Sequence, residues 1–319
     1  NFIYKRTINY KKMKILIIQQ RYGIGDMVIL LPYIHAISKK FNTPVSLLAK
    51  ESSRASDLLS EDEHVNEIIT LDKEKDGLGG FLKLSKELKK RNFDKVFIFN
   101  NSLRYNLVSR FSGIKSIYQY PFSLRKNNMV LTAKTFTENV VGQKVSTEPT
   151  LIIKKSSNNF DKKYKHILFA VSASGPTKIW DIENYIKLAI EISKKVECKF
   201  YIAAGPNDIN LIKKFKESDV GKDCVSFEKL SIKETLPIIK NCDCYIGNDT
   251  GFGHISVALK IKSLFIFMDT PIRVYGSYAP SLISTVEPEG ENQSTVHNTL
   301  GKNSISFKEV LEKTLNLIL

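Results

Sequence analysis

At 319 residues, with 42% hydrophobic and 25% charged side chains, the chain has an ordinary globular composition and enough length for two domains with their own cores; it is not a disordered chain. Its apolar runs, such as residues 27–31 and 263–268, are far too short to span a bilayer, and residues 1–12 are basic with no continuous apolar stretch and no small-residue cleavage site, so they read as an extension before Met13 rather than a signal peptide. A net charge of +15 admits an anionic lipid surface or a phosphorylated substrate, while the dispersed lysines, with no arginine-rich or aromatic-interleaved stripe, argue against nucleic acid as a partner.

In chain order, residues 14–19 are an apolar run with the length of a buried strand, ending in the turn that contains Gly23, Gly25 and Asp26. Residues 27–39 read as a helix, with Pro32 expected in its first turn or two or at a kink. Strands follow at 45–49, 66–71, 95–99 and 115–118, with helices at 53–59, 81–91 and 106–111 and a loop at 77–80. Residues 154–165 are polar and aperiodic and read as an inter-domain linker. The rhythm then restarts with strands at 166–171, 199–204, 224–227, 244–246 and 263–268, helices at 184–194, 210–215, 232–240 and 255–259, and a terminal helix at 306–318 capped by Ser304 or Ser306. Two β-α-β-α halves predict two parallel sheets of α/β class facing a cleft, with ligands beyond the C-terminal ends of the strands. Cys198, Cys224, Cys242 and Cys244 all fall in the second half, and the one-residue gap between Cys242 and Cys244 is too tight for a zinc pair, so buried free thiols in a reducing cytoplasm are expected.

The post-strand turns carry the chemistry. The strand, glycine turn and helix around Asp249, Thr250, Gly251, Gly253 and His254 present backbone N–H groups to an anion, and a nucleotide-sugar diphosphate is the expected occupant. Asp249 or Thr250 could instead simply cap that helix. Gly23 and Gly25 lack the third glycine of a dinucleotide fingerprint, because Val28 stands there, and no acidic residue closes the next strand, so a nicotinamide cofactor is disfavoured. What remains is Asp26 on a tight turn, either a general base or a helix N-cap. Ser172, Ser174, Gly175 and Lys178 follow the first strand of the second half and form a phosphate cradle in which Lys178 is a point charge for a leaving diphosphate. Trp180, the only tryptophan, packs beneath that loop. Asn207 or Asp208 could hold a ribose hydroxyl or complete a plain turn; Leu230 could line a base pocket, with Ser231 a good N-cap.

Taken in order, Gly23-Ile24-Gly25-Asp26 with Leu31-Pro32, the stretch from Ser172 through Lys178 to Trp180, Leu230-Ser231, and the stretch from Asn248 to His254 resemble the motifs of glycosyltransferase family nine, the lipopolysaccharide heptosyltransferases, over the chain from about Met13 onward. The resemblance implies a GT-B architecture of two Rossmann-like domains facing a central cleft: an acceptor-side half at 13–155, a nucleotide-sugar half at 165–303, and a terminal helix at 304–319 crossing back towards the first half. It implies inverting, metal-independent transfer without a cofactor, from a nucleoside diphosphate sugar, usually ADP-heptose, to a lipid-linked saccharide or other glycan, in the cytoplasm; the +15 charge, for its part, fits peripheral contact at the anionic membrane face. Asp26 matches the catalytic base, Lys178 the phosphate-binding lysine, and Asp249, Thr250 and Gly251 the donor turn with His254 close by; Leu230 falls beside the nucleobase. Three departures stand out: Asn207 or Asp208 where the family often has a ribose-binding glutamate, Asp181 in place of a proline after Trp180, and Asp269-Thr270-Pro271 where a glycine-containing loop is common. A GT-B nucleotide-sugar epimerase and a non-catalytic nucleotide-binding assembly protein are the competing readings.

Overall fold

β1 (Ile15–Gln19) is buried along its whole length because both of its faces are covered. Ile15 and Ile17 point into one core while Leu16 and Ile18 point into another, the period-two alternation of a strand between two helical layers. The computed structural model describes residues 12–76, 79–121, 128–154 and 160–319. The first half continues with α1 (Ile24–Phe41), β2 (Val45–Lys50), α2 (Ala55–Leu58), β3 (Val65–Leu71), α3 (Gly80–Arg91), β4 (Lys95–Ile98), α4 (Leu103–Phe111), β5 (Ser116–Gln119) and α5 (Met129–Val141). The second half comprises β6 (Lys165–Ala170), α6 (Ile182–Ser193), β7 (Cys198–Ala203), α7 (Ile209–Glu217), β8 (Val225–Ser226), α8 (Ile232–Lys240), β9 (Cys244–Asn248), α9 (Gly251–Ala258), β10 (Lys262–Ile266), α10 (Ile272–Tyr275), β11 (Ile283–Val286) and α11 (Phe307–Ile318).

Every strand pair is parallel, in sheets ordered β3-β2-β1-β4-β5 and β11-β10-β9-β6-β7-β8. The strand order reverses beside β1 in the first sheet and between β6 and β9 in the second, and such switch points open crevices at strand C-termini. The turn after β1 carries Asp26, the loop after β6 carries Lys178, and the turn after β9 carries Asp249. The chain's topology therefore brings its three chemistry-bearing turns to two facing crevices.

α1 is apolar nearly all round, and such a helix must be covered on every side. It lies between α5 and α9, and one continuous core joins residues of both sheets through it. Pro32 sits inside α1, beyond its first two turns and buried, rather than near the helix start. The α1–α9 contact needs two glycines: a Cβ on Gly251 would stand 2.8 Å from Ile24 Cβ, and one on Gly25 would stand 2.4 Å from His254 Cδ2.

Two expectations of domain layout change. α11 buries Val310 and Ile318 in the second sheet's core beside Ile182 and Leu264, so it seats on the second half and not back on the first. Residues 155–159 of the expected linker, residues 77 and 78 of the expected loop, and residues 1–11 lie outside the described residues. The linker's far end is packed: Phe160 stacks on Tyr201 with ring centroids 5.1 Å apart, and Asp161 O contacts His166 Nε2 at 2.9 Å.

Candidate functional site

A cleft of about 490 Å³, within the usual range for small-molecule sites, runs between the two crevices. Two helix N-termini open onto it. Thr250 is the N-cap of α9, but its side chain does not bond back to the helix; Gly23, the N-cap of α1, has no side chain to do so. The leading N–H groups of both helices are thus left for a ligand, and both dipoles favour an anion there. Lys178 sits in the 3₁₀ turn Pro176–Lys178 on the cleft wall. That turn is braced from across the sheet, where Asp269 accepts a hydrogen bond from Thr177 Oγ1 at 2.7 Å and another from Asn298 N. Asp269, which departs from the resembled family, therefore has a structural task beside the lysine.

Asp26 lies in the first turn of α1 with its carboxylate 17% exposed, and it does not cap the helix. Tyr275 donates its hydroxyl to Asp26 Oδ1 at 3.3 Å, and Arg21 Nη1 stands 3.5 Å from the same oxygen. Burial, followed by the charge of Asp26, raises the Tyr275 hydroxyl well above the usual tyrosine range, so it remains a donor. Behind the turn after β9, His254 contacts Asp249 Oδ1 through Nε2 at 3.1 Å and Tyr278 Oη through Nδ1 at 2.7 Å. Tyr278 is buried and its hydroxyl also stays protonated, so it donates to Nδ1, and Nε2–H donates to Asp249. This chain sets the orientation of the Asp249 carboxylate.

Asn248 ties the two turns of the second sheet together. Its Oδ1 accepts from Trp180 N at 3.0 Å and from Tyr185 Oη at 3.1 Å, and its Nδ2 donates to Ser172 O at 3.3 Å, all in a fully buried setting. Asn248→Ala strands Trp180 N and Ser172 O, while Tyr185 Oη keeps Ala170 O at 3.1 Å, and the expected loss is about 2–3 kcal/mol. Urea unfolding should show a lower midpoint at unchanged slope; a wild-type midpoint would mean that water replaces the amide without penalty.

Asp26, Lys178, Gly25, Ser172, Ser174, Asp249, Thr250, Gly251 and His254 all line this cleft. Gly175, Asn207 and Leu230 do not. Gly175 shapes the turn by accepting from Lys178 N at 3.1 Å, and Asn207 faces solvent. Asp208 lines the cleft instead, with its carboxylate bound to Gly205 N at 2.7 Å. Leu230 is half-buried against the core, while Ser231 caps α8 in a reciprocal pair with Glu234. Phe252, Thr270, Tyr275 and His297 also line the cleft without having been expected there; Phe252 lies inside a motif and Thr270 inside the departing Asp269-Thr270-Pro271 loop, but nothing local in the sequence marks Tyr275 or His297. All four cysteines are free thiols. Burial, the largest influence on each, raises the Cys198 and Cys224 thiols to about 11.

Residues 81–303, well over half of the chain, match the profile of Glycosyltransferase family 9 (heptosyltransferase). The chain is 29% identical over 258 residues to lipooligosaccharide heptosyltransferase 2 of Campylobacter jejuni, covering 77% of this chain and 79% of that protein. The fold is similar to that of Escherichia coli ADP-heptose lipopolysaccharide heptosyltransferase II, with a TM-score of 0.72 at 19% identity over 96% of this chain and 98% of the other. It is also similar to an Escherichia coli heptosyltransferase solved with ADP, with a TM-score of 0.70 at 14% identity over 96% of this chain and 100% of the other. These two likenesses give the second sheet and the first a shared GT-B arrangement. With a family match over well more than half of the chain, taking in β4 and β5 of the first sheet and every strand of the second, the chain belongs to glycosyltransferase family 9, the heptosyltransferase family, and is a glycosyltransferase.

Proposed function

We propose that the chain transfers heptose from ADP-heptose to a hydroxyl of a lipopolysaccharide-type glycan, with inversion and without a metal. The observation that carries this reading is the convergence of Asp26, Lys178 and the open N-terminus of α9 on one cleft. The first half, residues 13–155, is the acceptor side, and residues 165–303 are the donor side. Asp26 accepts the proton of the acceptor hydroxyl as its oxygen attacks the anomeric carbon, on the face opposite the diphosphate. The bond from that carbon to the diphosphate breaks, and the departing charge is met by Lys178 and the leading N–H groups of α9. These fixed positive groups support a metal-independent departure. The C. jejuni relative and the E. coli neighbours, by their names, support heptose as the sugar and ADP as its carrier. Free thiols at all four cysteines agree with work on the cytoplasmic side of the membrane.

Thermal unfolding in the presence of ADP, UDP, GDP or CMP, each with and without EDTA, tests the donor reading. ADP alone should raise Tm, equally with EDTA present, by the equivalent of ~2.7 kcal/mol at a concentration ~100-fold over Kd. Stabilisation by no diphosphate, or only with a divalent ion, would overturn it. Product analysis with a glycan acceptor and ADP-heptose then tests transfer itself.

A further inference from the structure

Helix α4 is apolar on both faces. Its inner residues Tyr105 and Val108 are buried under the first sheet with Leu84 and Leu88 of α3. Its outer face should then be polar, as on most surface helices. It carries instead Leu103, Leu107 and Phe111, spaced four apart on one stripe and 63%, 45% and 64% exposed. Phe111 packs edge-on against Phe81 with centroids 5.4 Å apart, and the next residue, Leu82 of α3, is 62% exposed. Four large apolar side chains thus stand in solvent on neighbouring helices.

The unpaired charge around them has one sign. Lys83, Lys86, Lys89 and Lys90 are exposed on α3, and Arg110 is exposed on α4. α4 contains no Asp or Glu. α3 contains one, Glu87, which is half-buried and paired with Lys75 at 3.3 Å and Arg91 at 3.3 Å. Among the described residues, Lys86, Lys89 and Lys90 make no ion pair, whereas Lys83 pairs with Glu74. An apolar stripe fringed by unneutralised lysines is the pattern of a helix that lies in the plane of a membrane interface, with its apolar side chains among the acyl chains and its cations at anionic headgroups. A twofold contact between copies would bring these lysines face to face, which like charge opposes. No helix among the described residues is long and apolar enough to cross a membrane, so the contact would be peripheral.

We infer that the outer face of α3 and α4 docks on an anionic lipid bilayer surface. Co-sedimentation with vesicles tests this independently of donor or acceptor identity. The protein should pellet with vesicles containing about one-third phosphatidylglycerol, should stay in solution with pure phosphatidylcholine, and should be released by high salt. A variant carrying Leu103→Glu, Leu107→Glu and Phe111→Glu should lose binding at least ~10-fold. A second variant, Lys86→Glu with Lys89→Glu and Lys90→Glu, alters only exposed side chains and should lose binding even if the first fails to fold. Wild-type protein that stays in solution with anionic vesicles at low salt would overturn the proposal. So would pelleting of the lysine variant to the wild-type extent, or a solution dimer that the apolar variant converts to monomers.

Discussion

Asp26→Asn is expected to lower turnover at least ~100-fold while ADP binding, read by thermal shift, stays at the wild-type level. The asparagine keeps the size of the side chain and can still accept from Tyr275 Oη, which lies 3.3 Å from Asp26 Oδ1. What it loses is the capacity to take up a proton. The diphosphate contacts proposed for Lys178 and α9 come from other elements of the cleft lining than Asp26, so donor affinity should not follow turnover down. A fall in kcat with unchanged donor KM would mark an interaction made only in the transition state. Wild-type turnover in Asp26→Asn would end the base assignment, and loss of ADP binding in parallel would move Asp26 to the donor side.

Gly25→Ala should damage both stability and rate, although it adds a single methyl group. The new Cβ would lie 2.4 Å from His254 Cδ2 and 3.1 Å from Nε2, and the ring has little room because Asp249 and Tyr278 hold its two nitrogens. Either α1 backs away from α9, or the imidazole turns and releases Asp249. Overpacking of this kind carries a loss of about 1–3 kcal/mol, and a displacement of ~1 Å at a reacting group reduces rates ~100-fold. Gly175→Ala is the matched control for stability: its backbone is extended and a Cβ there meets nothing within 4 Å. Calorimetry and steady-state rates on the two variants separate the outcomes. Gly25→Ala with the Tm and kcat of the wild type would show that the close seat of α1 on α9 is dispensable.

The elements that could be read from sequence were those whose cause is local. β1, β6 and β9 are covered on both faces, so they stand out as apolar runs, and each feeds a glycine- or hydroxyl-rich turn. α5 was missed entirely. Its 13 residues include three threonines, which weaken helix propensity, and its helicity rests on packing against α1, where Tyr33 Oη donates to Val130 O at 3.1 Å. β11, four residues at a sheet edge with two polar members, left no periodic mark. In the site, the motif residues were visible because each follows its strand directly. The tasks of Tyr275 and Asp269 were not: Asp269 stood out only as a departure from the resembled family, and the two act on Asp26 and Thr177 across 249 and 92 residues of chain. Of the two alternatives Asn207 and Asp208, it is Asp208 that lines the cleft, because its carboxylate reaches back to the Gly205 amide and closes the turn, while Asn207 faces solvent.

The shared seat of α1 has a consequence for how such chains can be recombined. α1 contributes Met27, Val28, Leu31 and Ile34 to a core that also contains Ile255, Val257 and Phe265 of the second half. Leu151 N bonds Ala258 O at 3.0 Å, and Thr147 Oγ1 bonds Tyr278 O at 2.6 Å, across the same seam. A chimera joined at the midpoint between two relatives would inherit α1 from one parent and α9 from the other, and would mismatch side chains that interlock. Exchange of donor preference between relatives should therefore succeed only when α1 and α9 travel as a pair, and the portable cassette in this fold is not a half of the chain.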